Sequence, residues 1–239
     1  MEKKKMSELL DVLRTEQKYR LDYMEMMKMS GLLQQVFHQD AHSGLDGYPV
    51  RSLYFDTPDD SDFYDKLDGY EVRRKIRLRI YSPDAEWAKL ELKEKQGSLQ
   101  RKRSLKMNRE QAMAVSRGEY EVLLERDTDF SKELYGRMKQ FHYQPKCLVE
   151  YDRKAFVVEE NDTRITLDSN LRATGGCLEL FAKKVAWCPL DMDGTGTMEV
   201  KFNRFLLSYV KQIVSLPSYM QTSASKYVAA RNYILGIDV

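Results

Sequence analysis

Four cationic side chains alternate with mostly apolar ones in the segment EVRRKIRLRIY, residues 71–81. With the two-residue repeat of a β-strand, Arg73, Lys75, Arg77 and Arg79 share one face, and successive members stand about 7 Å apart. Guanidinium and ammonium groups at that spacing can bind a chain of phosphates, because arginine grips oxygens bidentately and lysine acts as a point charge. Phosphate binding is therefore the first chemistry that this sequence predicts.

Positive charge is concentrated around this segment. The chain has 239 residues and a net charge of +2, whereas twelve basic and five acidic residues give residues 71–106 a charge of +7. Such a local excess in a nearly neutral chain indicates an anion site. Aromatic residues do not interleave with the cations as stacking platforms for RNA would require, so we predict no nucleic-acid partner.

Other segments repeat the pattern of one charged and one apolar strand face. WAKLELKEK places Lys89, Glu91, Lys93 and Lys95 on one face, and RKRSLKM follows it across a turn that contains Gly97, which predicts a hairpin. TRITLDSNL and TMEVKFN show the same alternation, although Ser169 interrupts the apolar side of the former. Several strands therefore have charged faces to position.

Helices must cover the apolar faces of these strands. Met26, Met29, Leu33 and Phe37 follow helical spacing, which indicates core packing. Further helices are predicted with N-caps at three polar residues: Asn108, Ser131 and Ser223. Antiparallel strands with interspersed helices predict an α+β fold, and we expect one domain over residues 1–239.

Two arrangements fit amphipathic strands of this kind. The sheet can expose its charged face to solvent, or it can close into an antiparallel β-barrel tunnel with a charged lumen and helices packed around the outside. A solvent-facing sheet normally mixes charge signs, because like charges opposite each other are unfavourable, whereas three of these strands carry mainly cations. We therefore expect the closed tunnel.

Few acids accompany the cations. Glu16, Glu91 and Glu199 stand singly, which suits a divalent metal beside an anionic ligand better than ion-pair networks. On this interpretation the cations repel one another, and replacing Arg77 or Arg79 by alanine should not lower stability.

The sequence lacks the motifs of several other enzyme classes. It has no Walker A loop, no GxGxxG and no kinase-like HRD or DFG motif. Its three cysteines form no CxxC pair, which excludes a thiolate metal site of that type. His38 and His42 have a spacing that a metal could use, but no further ligands accompany them.

A series of motifs, in order, resembles the VTC domain. These are RTEQKY, SLYFD, RRKIRLRIY, LELKEK, RKR, VEYDRKAF, TRITLDSNL, MEVKFN and SASKY. The VTC domain is the polyphosphate polymerase module of the vacuolar transporter chaperone complex and belongs to the triphosphate tunnel metalloenzyme superfamily. The resemblance covers about residues 13–233.

The resemblance implies an ATP:polyphosphate phosphotransferase, which moves the γ-phosphoryl group of ATP to a growing polyphosphate chain. It assigns catalytic roles to seven cations of the tunnel: Lys18, Arg77, Arg79, Lys93, Arg153, Arg164 and Lys201. It assigns substrate binding to Lys102 or Arg103 and to Lys226. Lys75 is expected to bind substrate too, because it shares the strand face of Arg77 and Arg79. Glu199, and with it Glu16, would bind Mn²⁺ or Mg²⁺. Arg74 and Arg101 are expected to face outward, away from the tunnel, and whether Lys89 and Lys95 bind phosphate is left undecided.

One departure from the wider superfamily bears on the reaction. Hydrolytic CYTH members carry ExExK on their first strand, whereas this chain has RTEQK, with Arg14 in place of the first glutamate. That difference favours the polymerase over the hydrolase, and it leaves Glu16 as either a metal ligand or an ion-pair partner of Lys18. The alternatives are a triphosphatase acting on inorganic triphosphate or nucleotides, and a non-catalytic module that binds polyphosphate or nucleotides.

The cellular context is predicted from hydropathy. No apolar run approaches the ~18 residues of a membrane helix, and the N-terminal residues lack the apolar core of a signal peptide. We expect a cytoplasmic protein that does not itself insert into a membrane, and export of polyphosphate would then need a membrane-protein partner.

Overall fold

The computed structural model describes residues 15–41, 43–44, 46–97, 99–191, 193–215 and 220–237, so Arg14 and His42 lie outside the described residues. The strands are Thr15–Leu21 (β1), His38–Gln39 (β2), Tyr48–Asp56 (β3), Val72–Ile80 (β4), Trp87–Gln96 (β5), Leu99–Asn108 (β6), Gln144–Val158 (β7), Thr163–Thr174 (β8), Cys188–Pro189 (β9), Gly196–Phe202 (β10) and Met220–Gln221 (β11). The α-helices are Tyr23–Val36 (α1), Ser61–Leu67 (α2), Arg109–Ser116 (α3), Asp129–Gln140 (α4), Ser208–Val214 (α5) and Lys226–Leu235 (α6). The predicted α+β fold is confirmed.

The strands form one mostly antiparallel sheet. Its order is β11-β1-β10-β8-β7-β3-β4-β5-β6, with β2 on β7 and β9 on β8. The hydrogen bonds of the described residues leave β11 and β6 as the two ends of this order, so the sheet is not closed. The closed tunnel therefore stays a prediction.

The chain divides into two compact units. Among the described residues, the first unit comprises 51–148 and 175–185, and the second comprises 15–50, 149–174 and 186–237. The single domain over residues 1–239 stays a prediction.

In the first unit, β4, β5 and β6 form an antiparallel meander with one buried apolar face. Helix α3 packs against β5 and β6, and Asn108 caps it as predicted, because its side chain accepts a hydrogen bond from the Gln111 amide at 2.8 Å. The predicted hairpin between β5 and β6 is confirmed, and Gly97 in its turn has a φ of +56°, which favours glycine. Helix α4 begins after Thr128 rather than at the predicted cap Ser131.

In the second unit, helix α1 packs on the apolar faces of β1, β8 and β10. Met29 and Leu33 are buried in a cluster with Ile165 and Met198, so the predicted core stripe is confirmed. Helix α6 is capped by Ser225 rather than by the predicted Ser223. Throughout the part of the chain that the structure describes, no helix has both the length and the apolar character to cross a membrane.

Candidate functional site

A charged face extends over three strands of the first unit. Strand pairing sets the charged residues of β4, β5 and β6 side by side in four rows: Arg73–Lys95–Gln100, Lys75–Lys93–Lys102, Arg77–Glu91–Ser104 and Arg79–Lys89–Lys106. Nine of these twelve positions are cations and one is acidic. We call this set the cationic face.

Glu91 lies at the centre of the cationic face and binds three of its cations. Arg77 Nε lies 2.8 Å and Arg79 Nη2 lies 3.0 Å from one carboxylate oxygen, and Lys102 Nζ lies 2.6 Å from the other. Burial favours the neutral acid, but Arg77 and Lys102 outweigh it and lower the pKa of Glu91 to about 2. The expectation of uncompensated repulsion at Arg77 and Arg79 is therefore wrong.

A neighbouring strand also supports Arg77. Tyr54 of β3 lies directly opposite Arg77 in the strand register, and its hydroxyl accepts a hydrogen bond from Arg77 Nη1 at 2.9 Å. The guanidinium also lies 5.7 Å from the centre of the Tyr54 ring. Arg77 is thus held by an acid and an aromatic side chain before any ligand arrives, and such preorganisation favours anion binding.

Arg103 lies on the opposite side of the sheet from Lys102. In the register it pairs with Leu92, and its guanidinium contacts the carboxylates of Glu94 and Glu133 and the ring of Phe130. The structure therefore does not bring Arg103 together with the cationic face. Arg74 also leaves this face, as expected, and its Nε lies 3.8 Å from the buried Asp62.

A second charged face occurs in the second unit, on β1, β10 and β8. Strand pairing gives the rows Glu16–Lys201–Arg164, Lys18–Glu199–Thr166 and Arg20–Thr197–Asp168. Unlike the cationic face, it alternates acids and bases. We call it the mixed face.

Lys18 lies between the two predicted metal ligands. Its Nζ is 3.2 Å from both Glu16 and Glu199, and Glu199 also accepts a hydrogen bond from Lys201 at 2.5 Å. Burial would lower the pKa of Lys18, but Glu199 and Glu16 outweigh it and raise the pKa. Burial likewise opposes ionisation of Glu199, yet Lys201 and Lys18 hold its pKa well below the usual value. The carboxylate of Glu199 is therefore ionised, and together with Glu16 it points at one positively charged atom.

Asp168 organises the remaining cations of the mixed face. Arg153 binds it through two hydrogen bonds, of 2.6 and 2.7 Å, and Lys226 from the start of α6 lies 2.8 Å away. Asp168 is only 2% exposed, and although burial opposes ionisation, Arg153 and Lys226 lower its pKa. Strand alternation in TRITLDSNL placed Asp168 on a polar face but gave no sign of this role.

Arg164 has different partners, although it lies in a row with Lys201. Its Nη2 is 2.7 Å from Asp40 and 3.1 Å from the hydroxyl of Tyr48. The predicted residues thus fall into two groups and one outlier. Lys75, Arg77, Arg79, Lys93 and Lys102 share the cationic face. Glu16, Lys18, Arg153, Arg164, Glu199, Lys201 and Lys226 lie on or beside the mixed face, where Arg164 alone of these binds Asp40. Arg103 belongs to neither group.

Glu16 and Glu199 fit a divalent metal as a two-carboxylate set. Mg²⁺ in phosphoryl-transfer sites is bound by one or two carboxylates together with substrate phosphates, and these two carboxylates already converge on one cationic group. Among the described residues no group of three histidine, cysteine or acidic side chains converges as a metal site, so phosphates would have to complete the coordination.

Comparisons with known proteins bear on the family. The model of the VTC domain family matches residues 13–235. A search of curated proteins found no match. A putative adenylyl cyclase from Hippeastrum, for which a dominant triphosphatase activity is reported, has a similar structure, with a TM-score of 0.56 and 15% identity over 93% of this chain and 96% of that one. A putative adenylate cyclase from Bacillus halodurans aligns with a TM-score of 0.48 and 11% identity over 95% of this chain and 89% of that one.

At 15% identity the Hippeastrum structure shows a likeness of fold alone. The family model, in contrast, spans nearly all of the sequence. The chain therefore belongs to the VTC domain family.

Proposed function

We propose that this protein is a metal-dependent polyphosphate polymerase, which transfers the γ-phosphoryl group of ATP to a growing polyphosphate chain and releases ADP. The observation that carries the proposal is the cationic face, with nine cations around one acid on three consecutive strands of a VTC-family chain. Few ligands other than a phosphate chain could neutralise so many cations in rows about 7 Å apart.

The chemistry needs positioning and charge stabilisation rather than a nucleophilic side chain. A terminal oxygen of the polyphosphate attacks the γ-phosphorus while the bond to the β–γ bridging oxygen breaks, and ADP leaves with that electron pair. Negative charge spreads over the γ-phosphoryl oxygens, where the guanidinium groups of Arg77 and Arg79 can stabilise it. Lys75, Lys93 and Lys102 bind the adjoining phosphates.

The residues around the mixed face have a predicted role of their own. Glu16 and Glu199 would hold Mn²⁺ or Mg²⁺, and the ion would neutralise charge on phosphate oxygens bound at that face. Lys18, Arg153, Lys201 and Lys226 bind phosphate oxygens, and Asp168 keeps Arg153 and Lys226 in position. Arg164 retains its predicted role through its row with Lys201, whereas Arg103 is left out of the proposal because it binds Glu94 and Glu133.

A triphosphatase is the second candidate. The triphosphatase activity reported for the structurally similar Hippeastrum protein favours it, whereas Arg14 in place of the first glutamate of ExExK favours the polymerase. A module that binds polyphosphate or nucleotides without turnover is the third. The cytoplasmic location and the membrane-protein partner stay predictions from the sequence.

Product analysis separates the first two functions. Purified protein is incubated with ATP and Mn²⁺, or with ATP and Mg²⁺, and the products are resolved by gel electrophoresis with a polyphosphate stain. We expect long polyphosphate and an equivalent amount of ADP. Release of ADP and inorganic phosphate without chains would identify a hydrolase.

Two variants test the residues involved. Glu199→Ala should abolish turnover while tripolyphosphate still binds, because the variant removes a metal ligand but no cation. Arg77→Ala should weaken the binding of tripolyphosphate itself. If the wild type shows no turnover with any divalent metal and Glu199→Ala binds tripolyphosphate as tightly as the wild type, the binding module is the correct function.

A further inference from the structure

The cationic face ends in two aromatic rings. Tyr81 lies two residues after Arg79, just beyond the end of β4, and Trp87 lies two residues before Lys89, at the start of β5. Strand alternation therefore puts both aromatic side chains on the side of the cations. Their ring centres lie 6.1 Å apart with planes inclined at 60°. Both side chains are only partly buried, which leaves ring surface accessible at this end of the face.

Two lysines lie over the indole of Trp87. The Nζ atoms of Lys106 and Lys89 are 5.0 and 5.7 Å from the ring centre. Within the described residues neither ammonium has a carboxylate at ion-pair distance, whereas Arg77, Arg79 and Lys102 all bind Glu91. Two like charges beside one aromatic ring, without an acid, form a site that attracts an anion.

We propose that Trp87, Tyr81, Lys89 and Lys106 form the nucleoside end of the phosphate site. The base of a nucleoside triphosphate stacks on Trp87, with Tyr81 at its edge, and the two lysines turn from the indole to the phosphate nearest the ribose. This inference rests on the proposed function, because it places the outer phosphates at the row of Arg77.

The spacing of the rows supports this arrangement. Rows on a strand face repeat about every 7 Å, so the row of Arg79, Lys89 and Lys106 lies one step from the rings and the row of Arg77 and Glu91 lies two steps away. An extended nucleoside triphosphate has the same order of groups, from base through the first phosphate to the last. Because every base has a π-face, stacking on an indole tolerates any base, and we expect ATP and GTP to bind alike.

Affinity measurements with nucleotide and inorganic ligands test the inference. Calorimetry compares ATP, GTP and inorganic tripolyphosphate on the wild type, Trp87→Phe and Trp87→Leu. We expect Trp87→Leu to bind both nucleotides about tenfold more weakly and Trp87→Phe to stay within about threefold of the wild type, because phenylalanine keeps a π-face. Tripolyphosphate should bind all three proteins equally, which also shows that the variants are folded.

The matched control is Trp187→Leu. The chain has two tryptophans, and Trp187 belongs to the second unit, where Arg172 lies 6.0 Å from its ring centre. This variant should bind all three ligands as the wild type does. Equal losses of ATP and tripolyphosphate affinity in Trp87→Leu, or no loss of either, would overturn the nucleoside site while leaving the proposed function intact. Failure of the wild type to bind tripolyphosphate would overturn the proposed function itself.

Discussion

Replacing Glu91 by glutamine removes the central negative charge of the cationic face and keeps the size of the side chain. Glu91 is 2% exposed and binds three cations, and removing one partner of a buried ion pair typically costs about 3–5 kcal/mol. The side chains of Arg77 and Lys102 are 20% and 36% exposed, so water can take over part of their solvation and the lower end of that range applies. A pKa lowered from 4.5 to about 2 corresponds to a similar value of about 3 kcal/mol.

Urea unfolding and tripolyphosphate binding together measure the effect. Glu91→Gln should lower the free energy of unfolding by about 3 kcal/mol and bind tripolyphosphate about tenfold more tightly at low salt, because the face gains one net positive charge. Saturating tripolyphosphate should restore much of the lost stability, since the ligand supplies the missing anion.

Glu94→Gln is the matched control. Glu94 lies three residues along the same strand but on the other side of the sheet, where its carboxylate contacts Arg103 at 2.8 Å and is 30% exposed. Arg103 keeps the carboxylate of Glu133 when Glu94 is replaced, so the control should lose less stability than Glu91→Gln and bind tripolyphosphate unchanged. The reasoning is refuted if Glu91→Gln loses less than about 1 kcal/mol, or if the two variants bind tripolyphosphate equally.

Three further predictions concern ionisation and the second charged face. Folding lowers the pKa of Glu91, so the contribution of Glu91 to folding stability is present above about pH 4.5 and is lost as the pH falls towards about 2. Acid unfolding monitored by circular dichroism should show this loss of stability in the wild type and not in Glu91→Gln. Asp168→Asn should lower the free energy of unfolding in urea by about 3 kcal/mol, because the buried Arg153 loses the charge of its bidentate partner. Burial, and then Asp56, raise the pKa of Asp62 to about 8, so folding stability should fall as the pH rises from about 4 to 8, and urea titrations should find a weaker fall in Asp62→Asn.

Strand alternation was the reliable signal in this sequence. It identified the faces of β4 and β5 and the hairpin at Gly97, because the direction of a side chain on a strand depends only on the local two-residue repeat. The cap Asn108 was also recognisable, since a capping box is local. At α4 the predicted cap Ser131 is the third residue of the helix and forms a capping box with the actual cap Thr128, and at α6 both Ser223 and Ser225 precede the helix, which begins after the second.

Partnerships between strands could not be predicted. Glu91 neutralises Arg77 because the register of β4 and β5 sets them opposite each other, and a single sequence does not specify register. Strand alternation puts Lys102 and Arg103 on opposite sides of the sheet, but only the register with β5 decides that Lys102 takes the cationic face. The ion pair of Asp168 with Lys226 of α6 joins residues that are 58 positions apart in the sequence, so no local pattern could reveal it.

The uneven distribution of charge also has a kinetic consequence. Nine cations and one acid give the cationic face a charge of +8, so the remaining residues of a chain with net charge +2 carry −6. A polyanion is attracted to that face before contact, and the attraction is screened over a Debye length of about 10 Å at 0.1 M salt. Diffusional capture of tripolyphosphate should therefore slow steeply as ionic strength rises, while its rate of escape changes much less.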